Sequence, residues 1–173
     1  MRSMRQGIGM AMMAAAFLGA VLPLTASPCM AADKEPYKIG AIFSVTGVGS
    51  FLGEPEKKTA EMIAADVNKN GGINGHPLEL VLYDDESDTT KCNLNFKRLA
   101  KTDKVPVVIG PSRTGESLAV VGVAEDMEVP VITCASSYKI VTPIESRKWC
   151  FKVAGSESDV VGKIYDHMKS KGI

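Results

Sequence analysis

The chain has 173 residues, 20 basic and 20 acidic side chains and 45% apolar residues, so its formal charge is zero. With no basic patch to pair with a phosphate backbone, nucleic-acid binding is excluded as a function. A chain of this length and hydrophobicity can bury one core but not two.

Residues 1–32 read as an export signal. Arg2 and Arg5 form a positive start, Ile8–Leu24 is an uncharged apolar stretch, and small residues follow, with cleavage expected near Ala31 or Ala32. Gly7, Gly9, Gly19 and Pro23 argue against a retained spanning helix. Cys29 raises the alternative of a lipid anchor. The preceding Ala26-Ser27-Pro28 disfavours it, because proline stands where a small residue is needed. The expected destination is the periplasm. Removal of the leader takes away two arginines and leaves a slightly acidic chain.

Tyr37–Phe43 is a short apolar run without helical period, as expected of a parallel strand covered on both faces. Glu54–Asn70 places Ala60, Ile63, Ala64 and Val67 on one helical stripe. Asn70-Gly71-Gly72 stops that helix, since glycine takes the left-handed conformation after a helix end at no steric cost. Leu78–Tyr83 predicts a second strand, followed by an acidic turn.

The segments GAIFSVTGVGSFLGEPEKKTAEMIAADVNKNGGINGHPLELVLYDD and VVIGPSRTGESLAVVGVAEDMEVPVITCASS resemble the branched-chain amino-acid type of solute-binding protein. Those are extracytoplasmic receptors that hand solutes to ABC importers, and their two α/β lobes close on a ligand. The resemblance implies an open parallel sheet with helices on both faces, here the truncated first lobe of a type I periplasmic binding fold.

The remaining elements continue the alternation. Helices are predicted over Asp88–Lys101, with Cys92, Phe96 and Leu99 inward, and over Gly115–Glu128, with Val120, Val123, Ala124 and Met127 inward. Strands are predicted at Val105–Ile109, Val129–Thr133 and Trp149–Val153. A last helix over Asp159–Gly172 carries Val161, Ile164, Tyr165 and Met168 on one stripe. Alternating strands and helices give a parallel sheet with right-handed crossovers. The expected division is a leader at 1–32, the leading segment of a ligand-binding lobe at 33–154, and the first crossing into an incomplete second lobe at 155–173.

Three cysteines follow the leader: Cys92, Cys134 and Cys150. An odd number in an oxidising compartment leaves at least one free thiol or an intermolecular bridge. Cys92 sits on an inward stripe and reads as a small hydrophobe. Cys134 and Cys150 either pair or lie too far apart at opposite strand ends.

Ligands of open α/β sheets bind beyond the carboxyl ends of the strands. Gly110-Pro111-Ser112-Arg113-Thr114-Gly115 leaves a strand and enters a helix, so amides and the hydroxyls of Ser112, Thr114 and Ser117 suit a carboxylate. Ser112 or Thr114 could equally be a plain helix cap. The loop lacks the Gly-Lys-Ser/Thr ending of a phosphate-binding P-loop. By resemblance, Ala135 supplies backbone contacts, Ser137 and Thr114 supply hydroxyls, and Leu52 covers the ligand. Phe51, Leu52 and Tyr138 either wall a side-chain pocket or pack on the sheet top. Arg113 either favours an acidic ligand or faces solvent. Asp84, Asp85, Glu86 and Asp88 have no calcium-loop spacing and read as a turn, with Asp88 capping the next helix.

No serine nucleophile elbow, zinc pattern or dinucleotide fingerprint is present, and His76 and His167 have no evident partner. The expectation is therefore a non-enzymatic solute-binding component of an ABC importer, with neither cofactor nor metal. Its partners are an amino acid or related small carboxylate and an inner-membrane permease. The alternative is a ligand-sensing domain of a receptor with the same fold. A single lobe lacks half of the contacts such a site uses, so weak binding by the chain alone is expected.

Overall fold

In the computed structural model, the structure describes residues 34–173. The proposed signal sequence, its cleavage site and Cys29 lie outside the described residues.

Five strands form one parallel sheet in the order β2-β1-β3-β4-β5: β1 Tyr37–Phe43, β2 Leu78–Asp84, β3 Val108–Ile109, β4 Val131–Thr133 and β5 Cys150–Lys152. Four helices accompany them: α1 Ser50–Lys69, α2 Thr89–Arg98, α3 Thr114–Met127 and α4 Glu157–Ser170. The chain runs from β1 outward to β2, then crosses back over β1 to β3 and on to β4. That reversal puts α1 on one face of the sheet and α2 and α3 on the other. It also opens a crevice between the carboxyl ends of β1 and β3.

Alternation along the strands sorts the two faces. Ile42, Val108, Val131 and Cys150 point toward α2 and α3, where they meet Cys92, Phe96, Leu99, Val120 and Ala124 in the buried core. Ala41, Phe43 and Ile109 point the other way, toward α1. The inward stripes expected on α2 and α3 are the ones observed. The stripe on α1 is half covered, with Ala64 buried and Ile63 exposed.

Four boundaries in particular differ from the periodic reading. Helix α1 starts a turn early, at Ser50 rather than Glu54, which puts Pro55 inside it. Proline at a helix start is the familiar pattern. Here the extra turn is held instead by Leu52 and Gly53 amides donating to the Gly49 carbonyl at 2.9 and 3.1 Å. Helix α2 yields at Leu99–Asp103 to a wider turn that ends in left-handed Lys104. Strands β3 and β4 begin only after Pro106 and Pro130, which have no N–H to give to a ladder.

The cysteine pairing does not form. Cys92, Cys134 and Cys150 are free thiols. Cys150 Sγ lies on the α3 side, 3.8 Å from the Val121 carbonyl oxygen, while Cys134 lines the groove beside α1. The two sulfurs therefore sit on opposite faces of the sheet. Among the described residues no helix is long and apolar enough to cross a membrane.

Candidate functional site

The crevice at the strand reversal holds a pocket of about 470 Å³ lined by Leu52, Glu56, Ser112, Arg113, Thr114, Gly115, Cys134, Ala135 and Ser136. Three loops build it: the start of α1, the β3–α3 turn and the segment after β4. Helix α3 opens onto this space. Its N-cap residue, Arg113, has extended backbone and no side-chain cap. The amides at the helix start therefore keep their donors, and the positive end of the helix faces the pocket. Ser112 and Thr114 are not caps, which resolves one of the two readings the sequence left open.

The β3–α3 turn is tightly placed. Gly110 has φ +92°, and a Cβ there would lie 1.9 Å from the Ile42 carbonyl oxygen. Only glycine lets β3 leave the sheet this close to β1. The adjoining loop after β1 is stitched to the acidic turn. Thr46 donates through its amide and hydroxyl to Asp84 at 3.2 and 2.7 Å, and the Gly49 amide donates to Ser87 Oγ at 2.8 Å. Burial alone would push the Asp84 carboxyl up, but the Thr46 hydroxyl and amide and the Glu86 amide hold it below its ordinary value. Asp88 accepts from the Lys91 amide at 2.8 Å as the cap of α2. Among the described residues no group of three or more His, Cys, Asp or Glu side chains could hold a metal.

Of the residues singled out from the sequence, Leu52, Ser112, Thr114 and Ala135 come together in the pocket. Ser112 is buried, and its hydroxyl is already engaged. It donates to Glu56 and accepts from the Ser44 amide at 3.1 Å. Phe51, 73% exposed, and Tyr138, 45% exposed, lie outside the pocket lining. Ser137 sits behind the lining, its hydroxyl donating to Glu157 at 3.3 Å, and the Tyr138 amide donates to the same carboxylate at 3.0 Å. Arg113 lines the pocket with its guanidinium 3.4 Å from buried Glu116.

Glu56 is the pocket residue that sequence reasoning passed over. The stripe expected on α1, Ala60, Ile63, Ala64 and Val67, gave it no role. The true start makes Leu52 and Glu56 an i, i+4 pair on one face. Burial raises the Glu56 carboxyl above its ordinary value, against hydrogen bonds from Ser112 and Cys134 that pull it down. Cys134 in turn is pushed up to about 12 by burial and by the Glu56 charge, so its thiol is not a nucleophile at neutral pH. The two histidines stay outside this chemistry. His76 stacks on Tyr37 and pairs with the Glu35 carbonyl, and His167 lies on α4.

The arrangement is a concave, half-polar surface with free amide donors at one end and a carboxylate at the other. Comparison with known proteins agrees with a binding role. Residues 36–173 match the family model described as periplasmic binding protein. The chain is 31% identical over 152 residues to the leucine-, isoleucine-, valine-, threonine- and alanine-binding protein of Pseudomonas aeruginosa, covering 86% of this chain and 40% of that protein. It is 26% identical over 125 residues to the Leu/Ile/Val-binding protein of Escherichia coli, covering 72% of this chain and 34% of that one. Among solved structures, the branched-chain amino acid transporter substrate-binding protein of Streptococcus pneumoniae, in complex with isoleucine, matches with a TM-score of 0.67 at 28% identity. That match covers 72% of this chain and 35% of the solved one. An extracellular ligand-binding receptor from Rhodopseudomonas palustris matches with a TM-score of 0.71 at 28% identity, over 81% of this chain and 36% of its own. The chain thus spans about two fifths or less of the length of these relatives. The named relatives are binding proteins and not enzymes, and with the family model covering most of its length, the chain belongs to the periplasmic binding protein family.

Proposed function

We propose that this chain is the leading part of an exported solute-binding component of an ABC importer, taking an amino acid or related small carboxylate at the β1–β3 crevice. The observation that carries the reading is the uncapped start of α3, which turns amides and the Thr114 hydroxyl into a pocket at the strand reversal. The ligand carboxylate sits at Thr114 and Gly115, with Ala135 contributing backbone and Leu52 covering the apolar part. Ser137 acts from behind. Because its proton goes to Glu157, it meets a ligand as an acceptor. Ser112 serves as a brace, while Phe51 and Tyr138 wait at the rim for a ligand or an opposing lobe. Residues 33–154 form the leading part of the first lobe and 155–173 the first crossing. Hinge closure against a second lobe then gives the state that a membrane permease recognises.

The test is titration of the isotope-labelled chain with leucine, isoleucine and alanine, following amide shifts of residues 110–116 and 134–138. Amide titration reads dissociation constants in the millimolar range that one lobe alone should give. Thr114→Ala should weaken binding by roughly 1–3 kcal/mol. If these amides stay still at millimolar ligand while others move, the ligand lies elsewhere and the reading fails.

A further inference from the structure

Strand β2 ends the sheet. It pairs with β1 on one side and, among the described residues, no strand lies beyond it. Its Leu-Glu-Leu-Val-Leu-Tyr-Asp run stays in continuous register with β1 and has no bulge, proline or lysine to blunt the edge. Backbone groups alternate along it. The Pro77 carbonyl accepts from the Tyr37 amide and the Asp85 amide donates to the Phe43 carbonyl. Odd-numbered residues therefore face β1 and even-numbered ones face outward.

The two ends of this outer edge are already occupied. The Leu78 amide donates to Asn68 Oδ1 at 2.6 Å, and its carbonyl accepts from Asn68 Nδ2 at 2.8 Å. The Asp84 carbonyl accepts from Asn95 Nδ2 at 3.0 Å. Between these side-chain plugs, the amides and carbonyls of Leu80 and Leu82 stay open. An antiparallel copy of β2 fits that gap with Leu80 opposite Leu82 in both directions and Val81 on the twofold axis. A shift by one pair either way calls on groups that Asn68 or Asn95 already holds.

The side chains complement each other in this register. Val81 and Tyr83 pack toward the α2 core, and Glu79 lies exposed on the same face. Glu79 of one copy then stands opposite Tyr83 of the other. The Arg98 guanidinium lies 4.7 Å from the centre of the Tyr83 ring, whose hydroxyl donates to Asp103 at 2.9 Å. Arg98 is exposed and, among the described residues, has no salt-bridge partner. Each copy thus brings a carboxylate to where the other holds an unanswered cation. On the opposite face the partly buried Leu80 and Leu82 meet their counterparts.

We propose that β2 is a self-association edge, at which two copies pair antiparallel through Leu80–Leu82 with Glu79 of each against Arg98 of the other. Two five-stranded sheets become one continuous sheet, and the two β1–β3 crevices open toward opposite ends of the pair. An extended peptide would find the same short ladder without the reciprocal charges, so a second copy is the better fit.

So short a ladder buries less than a standard interface, and a dissociation constant of about 10–100 μM is expected. Sedimentation velocity over a concentration series spanning that range measures it. Glu79→Arg and Arg98→Glu should each weaken pairing roughly fivefold or more, and the double swap should recover most of the loss. Both side chains are exposed, so neither change reaches the core. Leu80→Pro removes an outward amide at a position where an edge strand tolerates proline, and should leave a monomer. Oxidation of Val81→Cys should trap a disulfide-linked dimer, since the two axial residues face each other at bridging distance. A chain that stays monomeric across the series overturns the proposal and leaves the edge to a strand of another protein. Association that none of these variants alters overturns it as well, and moves the contact to another face such as the exposed stripe of α4. Single swaps that weaken pairing without recovery in the double swap would remove the Glu79–Arg98 contact and the register with it.

Discussion

Gly110 fixes where the β3–α3 turn can lie, and with it the pocket. Its φ of +92° and the 1.9 Å approach of a would-be Cβ to the Ile42 carbonyl oxygen leave no room for a side chain. Gly110→Ala must either open the β1–β3 pairing or tilt the turn that presents Thr114. A loss of about 3 kcal/mol is expected from strain and displaced packing together. A urea melt of the variant measures it, and a loss under about 1 kcal/mol would mean the turn moves freely. At this scale the sequence was legible where chemistry is local. Asp88 before a helix was readable because it acts on the backbone next to it. Glu56 was not, because its role depends on Ser112 and Cys134, 56 and 78 positions away along the chain. The same holds for Ser112, whose hydroxyl looked free until Glu56 was found beside it.

Among the elements, β5 shows how a short strand is anchored without much ladder. Glu125, near the end of α3, accepts from the amides of Lys148 and Trp149, each at 3.0 Å, just before β5 begins. Burial by itself pushes this carboxyl up, but the two amides outweigh it and hold the group below its ordinary value. A carboxyl depressed in the folded state contributes stability above its unfolded pKa. That contribution is lost as pH falls through the folded value. Glu125→Ala should therefore cost about 1 kcal/mol at pH 7, discounted for partial exposure, and progressively less below about pH 4. Chemical melts of both proteins at pH 7 and pH 3.5 check it. A constant difference across that range would sink the charge-based account. Element existence and order were readable from period: every predicted strand and helix is present. Boundaries failed where tertiary contact or proline overrode the pattern. The early start of α1 depends on Gly49 and packing under the loop after β1. The late starts of β3 and β4 follow from Pro106 and Pro130, signals that were in the sequence but lost against the apolar run around them.

For the whole molecule, the uneven cover of the sheet decides behaviour. One face carries α2 and α3 over a continuous core, while on the other, among the described residues, α1 alone shields the sheet. Ile63 at 53% and Phe51 at 73% on α1 are exposed, as are Phe151 at 50% and Val153 at 71% at the β5 edge. Helix α4 is more extreme. Val160, Val161, Ile164 and Tyr165 are all at least 46% exposed, although their spacing is that of a helix made to be covered on one side. Its Glu157 carboxylate holds Ser137 and Tyr138, so the first turn is tied to the loop after β4 while the rest gains little from packing. A 14-residue helix without tertiary support is marginal in water. Hydrogen exchange on the chain by itself should then show α4 amides beyond Val161 exchanging almost at the unprotected rate, with the β1, α2 and α3 amides protected to the global stability. Protection in α4 equal to that core at micromolar concentration would mean its stripe is already covered. A dilution series in the same experiment would then show whether a second copy supplies the cover.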